Sequence, residues 1–235
     1  MTKLEISKTE VNLLPLWRYE GEVIQPTTDA GFAEAAARLA AATVIGIDTE
    51  TRPTFRKGVP ARPVALIQLA LPDVVYLIRL NNHGLPDGIR AVLGDASIKK
   101  IGIGTRDDVR ELKRDFNCEL RGVVDLNSLC KGLGYKSIGA RKLTALILGK
   151  RISKSQQTSN WENPELTRAQ VGYAATDAWI CQAMYAKLPK SGAKSEPTSE
   201  AEPGTKPKRR RRRRRRSAGE AGSAAPAAPT GESGS

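Results

Sequence analysis

Asp48 and Glu50 stand one residue apart at the end of a β-branched run, Thr43-Val-Ile-Gly-Ile-Asp48. Side chains two apart on an extended strand point to the same face, so both carboxylates can reach one site at the strand end. Two hard oxygen ligands side by side suit Mg²⁺ or Mn²⁺, although an Asp-x-Glu after a strand also serves as an ordinary solvated loop start. A second acidic pair, Asp107-Asp108, follows Ile101-Gly-Ile-Gly-Thr-Arg and opens a helical pattern that runs to Phe116. Acids in a first helical turn cap free N–H groups and complement the helix dipole. Asp107 is the better placed of the two for capping, which leaves Asp108 to face the sheet end. The third signal is Tyr173-Ala-Ala-Thr-Asp177, inside a long helical stretch. Positions i and i+4 share a helix face, so the phenol and the carboxylate project together. An isolated Asp in an Ala-rich helix interior is unfavourable by propensity, and a solvated Asp beside a core Tyr is the competing reading.

The residues between these groups predict the frame that holds them. Gly31 to Ala42 reads as an amphipathic helix with Phe32, Ala36, Leu39 and Ala40 on one face. The strand Thr43–Asp48 follows, then a Pro- and charge-rich loop to Pro63. Strands are expected over Val64–Leu71 and Val74–Ile78, separated by the turn signal Pro72-Asp73. Leu85–Leu93 reads as a helix, Lys100–Ile103 as a strand, Asp107–Phe116 as a helix and Val123–Leu126 as a strand. Helices over Arg141–Leu148 and Pro164–Leu188 complete the pattern. Three strands in succession, then strands alternating with helices, imply an α/β domain with a mixed sheet.

The three acidic motifs in this order, with the tyrosine, resemble the four-carboxylate, tyrosine-type 3′–5′ exonucleases. That family includes ribonuclease D and the exonuclease domain of the Werner helicase. The resemblance covers about residues 22 to 188. It is strongest to the Werner-type branch, on Asp48-Thr-Glu-Thr-Arg-Pro-Thr-Phe-Arg-Lys-Gly-Val59, Val64-Ala-Leu-Ile-Gln-Leu69 and Lys154-Ser-Gln-Gln-Thr-Ser-Asn-Trp161. It implies a ribonuclease H-like fold, a mixed sheet of five or six strands flanked by helices, and two divalent cations, Mg²⁺ or Mn²⁺. It also implies that Asp48 bridges both cations, that Glu50 and Asp177 hold the first, and that Asp108 supports the second mainly through water. Tyr173 would orient the attacking water, because a phenol of pKa about 10 is a poor base at neutral pH. The sister branch uses a histidine in that place. The only histidine here is His83, in a turn, so the histidine-type mechanism is excluded.

Residues after Glu50 wedge against the terminal base in the family, a role open to Phe55. Thr49 lies within the first motif, Arg52, Arg56 and Lys57 follow it, and Lys154 and Gln156 precede the last helix; all six are candidate substrate contacts. The basic ones contact phosphates or stay as solvated charges. Trp161 is expected to be a core anchor.

The net charge of +13 favours a polyanionic partner by counterion release and steering. It is shared almost equally between residues 1–188 and the tail, residues 189–235. That tail lacks aromatic residues and carries eight consecutive arginines, Arg209 to Arg216. Its composition predicts disorder, and the arginine run predicts phosphate contacts or, in a eukaryote, nuclear targeting. An N-terminal arm, residues 1–21, is expected to dock through Leu13, Leu14, Leu16 and Trp17. Cys118, Cys130 and Cys181 lack zinc-site spacing. No apolar run approaches the ~20 residues of a membrane span, and no signal-peptide core is present, so a cytoplasmic enzyme is expected. Two rival functions remain at this stage. One is ribonuclease D-like trimming of RNA, whose accessory helical domains the short tail cannot supply. The other is a non-catalytic nucleic-acid-binding module, which the complete set of carboxylates and Tyr173 argues against.

Overall fold

In the computed structural model, residues 3–55, 58 and 60–189 are described. Six strands form one mixed sheet: β1 (Glu22–Ile24), β2 (Val44–Thr51), β3 (Val64–Ala70), β4 (Val74–Arg79), β5 (Lys99–Gly102) and β6 (Val123–Asp125). Their order is β1-β4-β3-β2-β5-β6. β2, β3 and β4 form an antiparallel meander, while β1 joins β4 and β5 joins β2 in parallel, with β6 parallel to β5. This is the mixed sheet expected above. Strand β1, only three residues long, was not anticipated.

Helices cover both faces. α2 (Asp29–Ala40), α4 (Asp87–Gly94) and α5 (Arg106–Phe116) pack on one side through Phe32, Leu39, Ile89, Leu93 and Leu112, meeting Ile45, Ile47, Ile67 and Leu69. α6 (Leu126–Gly132), α7 (Ala140–Leu148) and α8 (Arg168–Lys187) take the other. β3 and β4 are buried along their whole length, as strands covered on both faces must be. The short helix α3 (Leu80–His83) holds His83, which is therefore helical rather than in a turn.

The N-terminal arm docks through two of the four residues expected: Leu14 packs beside Ala145, and Trp17 lies against Trp179 with ring centroids 4.9 Å apart. Leu13 is 81% and Leu16 56% exposed. Further contacts come from Ile6, just before α1 (Lys8–Leu13), and Val11, on it, which pack against Ala145. Tyr19 is buried beside α8, and its N–H donates to Thr176 Oγ1 at 3.0 Å. Cys118, Cys130 and Cys181 are buried and unpaired.

Candidate metal centre and active site

Asp48 and Glu50 lie inside β2 rather than past its end, because β2 stays paired with β3 as far as Thr51. The register shifts between Glu50 and Thr51, an irregularity of the kind that re-aims side chains at sites. Strand alternation turns Asp48 and Glu50 toward α8, and Ile45, Ile47 and Thr49 toward the opposite face.

Asp177 reaches the pair because α8 crosses β2 at Gly46. A Cβ at that position would collide with the Ala178 carbonyl, so only glycine permits this approach of helix to strand. Near this crossing the buried residues of α8 include Ala174, Ala175 and Ala178, small residues that keep the helix close to the sheet. Its start is fixed by a capping box, Thr167 with Gln170, and the Gln170 amide donates to the Asn160 carbonyl at 3.1 Å. As a result, one ligand oxygen from each of Asp48, Glu50 and Asp177 lies within 4.8 Å of the others.

Asp108 arrives from the other side. Gly104 adopts φ +74° between β5 and α5, a left-handed conformation suited to glycine, and α5 then begins at Arg106. Thr105, not Asp107, is the cap residue. Asp107 sits exposed in an ion pair with Arg110 at 2.8 Å. The Thr49 hydroxyl donates to Asp108 Oδ1, and Thr51 Oγ1 lies 3.4 Å from Glu111 Oε2. Asp108 is thus tethered beside the three-carboxylate cluster rather than within it.

The cluster forms one wall of a cavity of about 240 Å³, also lined by Thr49, Lys154, Tyr173 and Cys181. Tyr173, Asp177 and Cys181 form one stripe at intervals of four along α8. Gathering acids here, with Lys154 as the one cation lining the cavity among the described residues, has the expected electrostatic effect. Desolvation, then the charges of Asp177 and Asp108, push Glu50 up to about 9. Asp48 is raised well above the carboxylate range by burial, then by Asp177, Asp108 and Glu50. Burial lifts Asp177 to about 7 despite the restraining influence of the Tyr173 hydroxyl and the Lys154 charge. Asp108 is lifted by burial to about 6, with the Thr49 hydrogen bond pulling the other way. The Tyr173 phenol is raised far above its ordinary value by burial, then by the charges of Asp177 and Glu50. Carboxylates that cannot all ionise in one cavity suit a multivalent cation, and an all-oxygen donor set suits a hard one.

The other candidates are dispersed. Arg52 is engaged by Glu162 at 3.1 Å. Phe55 is 82% exposed. Arg56 and Lys57 lie outside the described residues, as does the run Arg209 to Arg216. Lys154 lines the cavity, but Gln157 rather than Gln156 accompanies it. Trp161 is fully buried, as an anchor should be. Sequence reasoning missed Cys181, which continues the spacing of Tyr173 and Asp177 by one more turn. Gln68 is buried and is the direct cross-strand partner of Asp48.

A family model described as 3′–5′ exonuclease matches residues 23–192. The chain is 33% identical over 185 residues to the mouse bifunctional 3′–5′ exonuclease/ATP-dependent helicase WRN. That match covers 74% of this chain and 13% of the mouse protein. It is 28% identical over 204 residues to an Arabidopsis thaliana 3′–5′ exonuclease, covering 79% of this chain and 70% of that one. The crystal structure of Escherichia coli RNase D, an exoribonuclease involved in structured RNA processing, superposes with a TM-score of 0.62 and 27% identity. It covers 72% of this chain and 44% of that one. The sheet is accordingly of the ribonuclease H-like type, and the chain belongs to the 3′–5′ exonuclease family.

Proposed function

We propose that this protein removes nucleotides from the 3′ end of a nucleic acid by metal-dependent phosphodiester hydrolysis. The observation that carries this reading is the convergence of Asp48, Glu50 and Asp177 on one cavity that Tyr173 also lines, with Asp108 held behind its wall by Thr49. Two divalent cations, Mg²⁺ or Mn²⁺, fit the donor set. Asp48, Glu50 and Asp177 would hold them, with Asp108 in support. Bound there, the cations would supply Lewis-acid stabilisation of the phosphodiester oxygens and lower the pKa of water. In the overall reaction a water oxygen bonds to phosphorus and the P–O3′ bond breaks. A nucleoside monophosphate leaves, and the shortened strand keeps a 3′-hydroxyl.

Tyr173 stays protonated at any working pH, since its pKa is raised. Its part is to orient water by a hydrogen bond, not to accept the proton. Lys154 sets a positive charge beside Asp177 at the cavity wall, where it would also meet a phosphate. DNA is the substrate we favour, on the Werner-type motifs around Asp48, Val64 and Lys154. The likeness to E. coli RNase D supports RNA trimming as the second reading. The test is digestion of matched DNA and RNA strands labelled at the 5′ end, single-stranded and 3′-recessed, with Mg²⁺, Mn²⁺ or EDTA. A ladder shortening one nucleotide at a time, abolished by EDTA, is expected. Cleavage at internal positions or in the presence of EDTA would overturn the reading.

A further inference from the structure

Two grooves open from the catalytic cavity, and their charges differ. One runs over α8, shares Ser153, Tyr173 and Asp177 with the cavity, and carries Arg18 and Arg168 against Glu20. The other, about 430 Å³, shares Ala140 and Lys154 with the cavity and is lined by Lys8, Val11, Arg141 and Lys142, with no carboxylate. Its floor is the start of α7. That helix has no side-chain cap at Gly139 and no acid in its first turn. Arg141 and Lys142 occupy the turn instead, where the helix dipole disfavours cations. A cation-bearing, uncapped helix start is electrostatically unfavourable until an anion arrives. Neither Lys8, Lys142 nor Lys154 forms an ion pair among the described residues, whereas Lys3 of the same arm is committed to Glu10.

Lys8 and Val11 belong to the N-terminal arm, which lies before the family-matched segment, residues 23–192. The arm is fastened where it can serve this groove. Arg141 donates to Asn12 Oδ1 at 2.9 Å, the Ile6 N–H to Ser137 Oγ at 3.2 Å, and the Lys136 N–H to the Leu4 carbonyl at 2.9 Å.

We propose that the arm and the α7 start form a phosphate-binding groove for the strand on the 5′ side of the scissile bond, with Lys8 and Lys142 as its free cations. The inference rests on the exonuclease reading above. A strand trimmed at its 3′ end must continue out of the cavity, and this groove is the continuation whose charge matches a polyphosphate backbone.

The test uses the full-length chain with Lys8→Ala and Lys142→Ala combined, beside Arg18→Ala with Arg168→Ala. Substrates are a 12-nucleotide strand and a dinucleotide too short to fill the groove. On the long strand, the first double variant should lose about tenfold in kcat/KM. Its log–log dependence on salt should become shallower by about 1.4, at ~0.7 for each single-strand phosphate that is no longer neutralised. The dinucleotide should be cleaved within about twofold of wild type, and Lys8→Arg with Lys142→Arg should recover the long-strand rate. Equal losses on both substrates would overturn the proposal, as would a length-dependent loss confined to the Arg18/Arg168 pair. If the wild-type protein cleaves neither substrate, the exonuclease reading itself fails. If it cleaves both and the lysine variant matches it, only the groove is refuted.

Discussion

The two faces of β2 treat acidic residues in opposite ways. On the face toward α5, Asp108 and Glu111 are met by the hydroxyls of Thr49 and Thr51. On the face toward α8, Asp48 and Glu50 meet another carboxylate, Asp177, and their pKa values rise steeply. One face meets its acids with hydroxyls, although the Asp108 charge still reaches Asp48 and Glu50. The other holds an electrostatic conflict that the fold does not resolve from its own residues. Buried polar groups are ordinarily satisfied, and a cluster kept unsatisfied is a common mark of a functional site.

The contrast can be broken most severely on the α8 face. Asp48→Asn or Asp177→Asn should lower single-turnover cleavage by about 10³-fold or more, since metal-based stabilisation is worth several kcal/mol. The same change should raise the melting temperature in EDTA by relieving repulsion. A variant within tenfold of wild-type rate would remove these residues from the site. Next in size is Tyr173→Phe, which keeps the ring packing against Trp161 but loses the hydroxyl. A fall in kcat on the order of 10²-fold with little change in KM is expected, the scale of losing one oriented partner in a hydrolytic site. An unchanged kcat would make Tyr173 a packing residue.

The α5 face should be gentler. Thr49→Val removes the tether on Asp108 while keeping the strand, and about a tenfold loss of activity is expected, as for other residues that orient a ligand. If that loss equals the loss in Asp48→Asn, the two faces are not functionally distinct.

The smallest effect is the most specific. Glu50 keeps its proton to about 9 when folded and loses it near 4.5 when free. Between those values the folded state binds more protons than the unfolded one, so metal-free stability falls as pH rises. The melting temperature in EDTA should drop by a few degrees more between pH 5 and 8 for wild type than for Asp48→Asn. Added Mg²⁺ should restore more at pH 8 than at pH 5. Parallel pH profiles for the two proteins would mean that the cluster is not the source.

Much of this arrangement was legible in the sequence, and what escaped has physical reasons. Asp48 with Glu50, and Tyr173 with Asp177, share faces as spacing on strand and helix implied, because those periodicities are local; that the two pairs meet was implied by the family resemblance alone. The extension of β2 to Thr51 was not visible, because its partner Val64 lies beyond the intervening loop. β1 was missed for the same cause: three residues pair with Val74–Tyr76, about fifty positions away. Asp107 looked like the cap, but the Gly104 turn starts the helix earlier, at Arg106. Gln157 replaces Gln156 in the cavity because the segment is a series of turns, where no period tells which side chain faces inward. Leu13 and Leu16 looked like the arm's anchors by hydrophobicity alone, yet Val11 is the α1 position that meets α7.

The central question is whether the α8 face of β2 is a metal centre. The direct measurement is calorimetric titration of Mn²⁺ into full-length, EDTA-stripped protein holding a cleavage-resistant phosphorothioate strand, for wild type and Asp48→Asn. Two ions per chain in wild type, with both lost or greatly weakened in the variant, is the predicted result. Equal binding by the two proteins, or none by wild type, would contradict it.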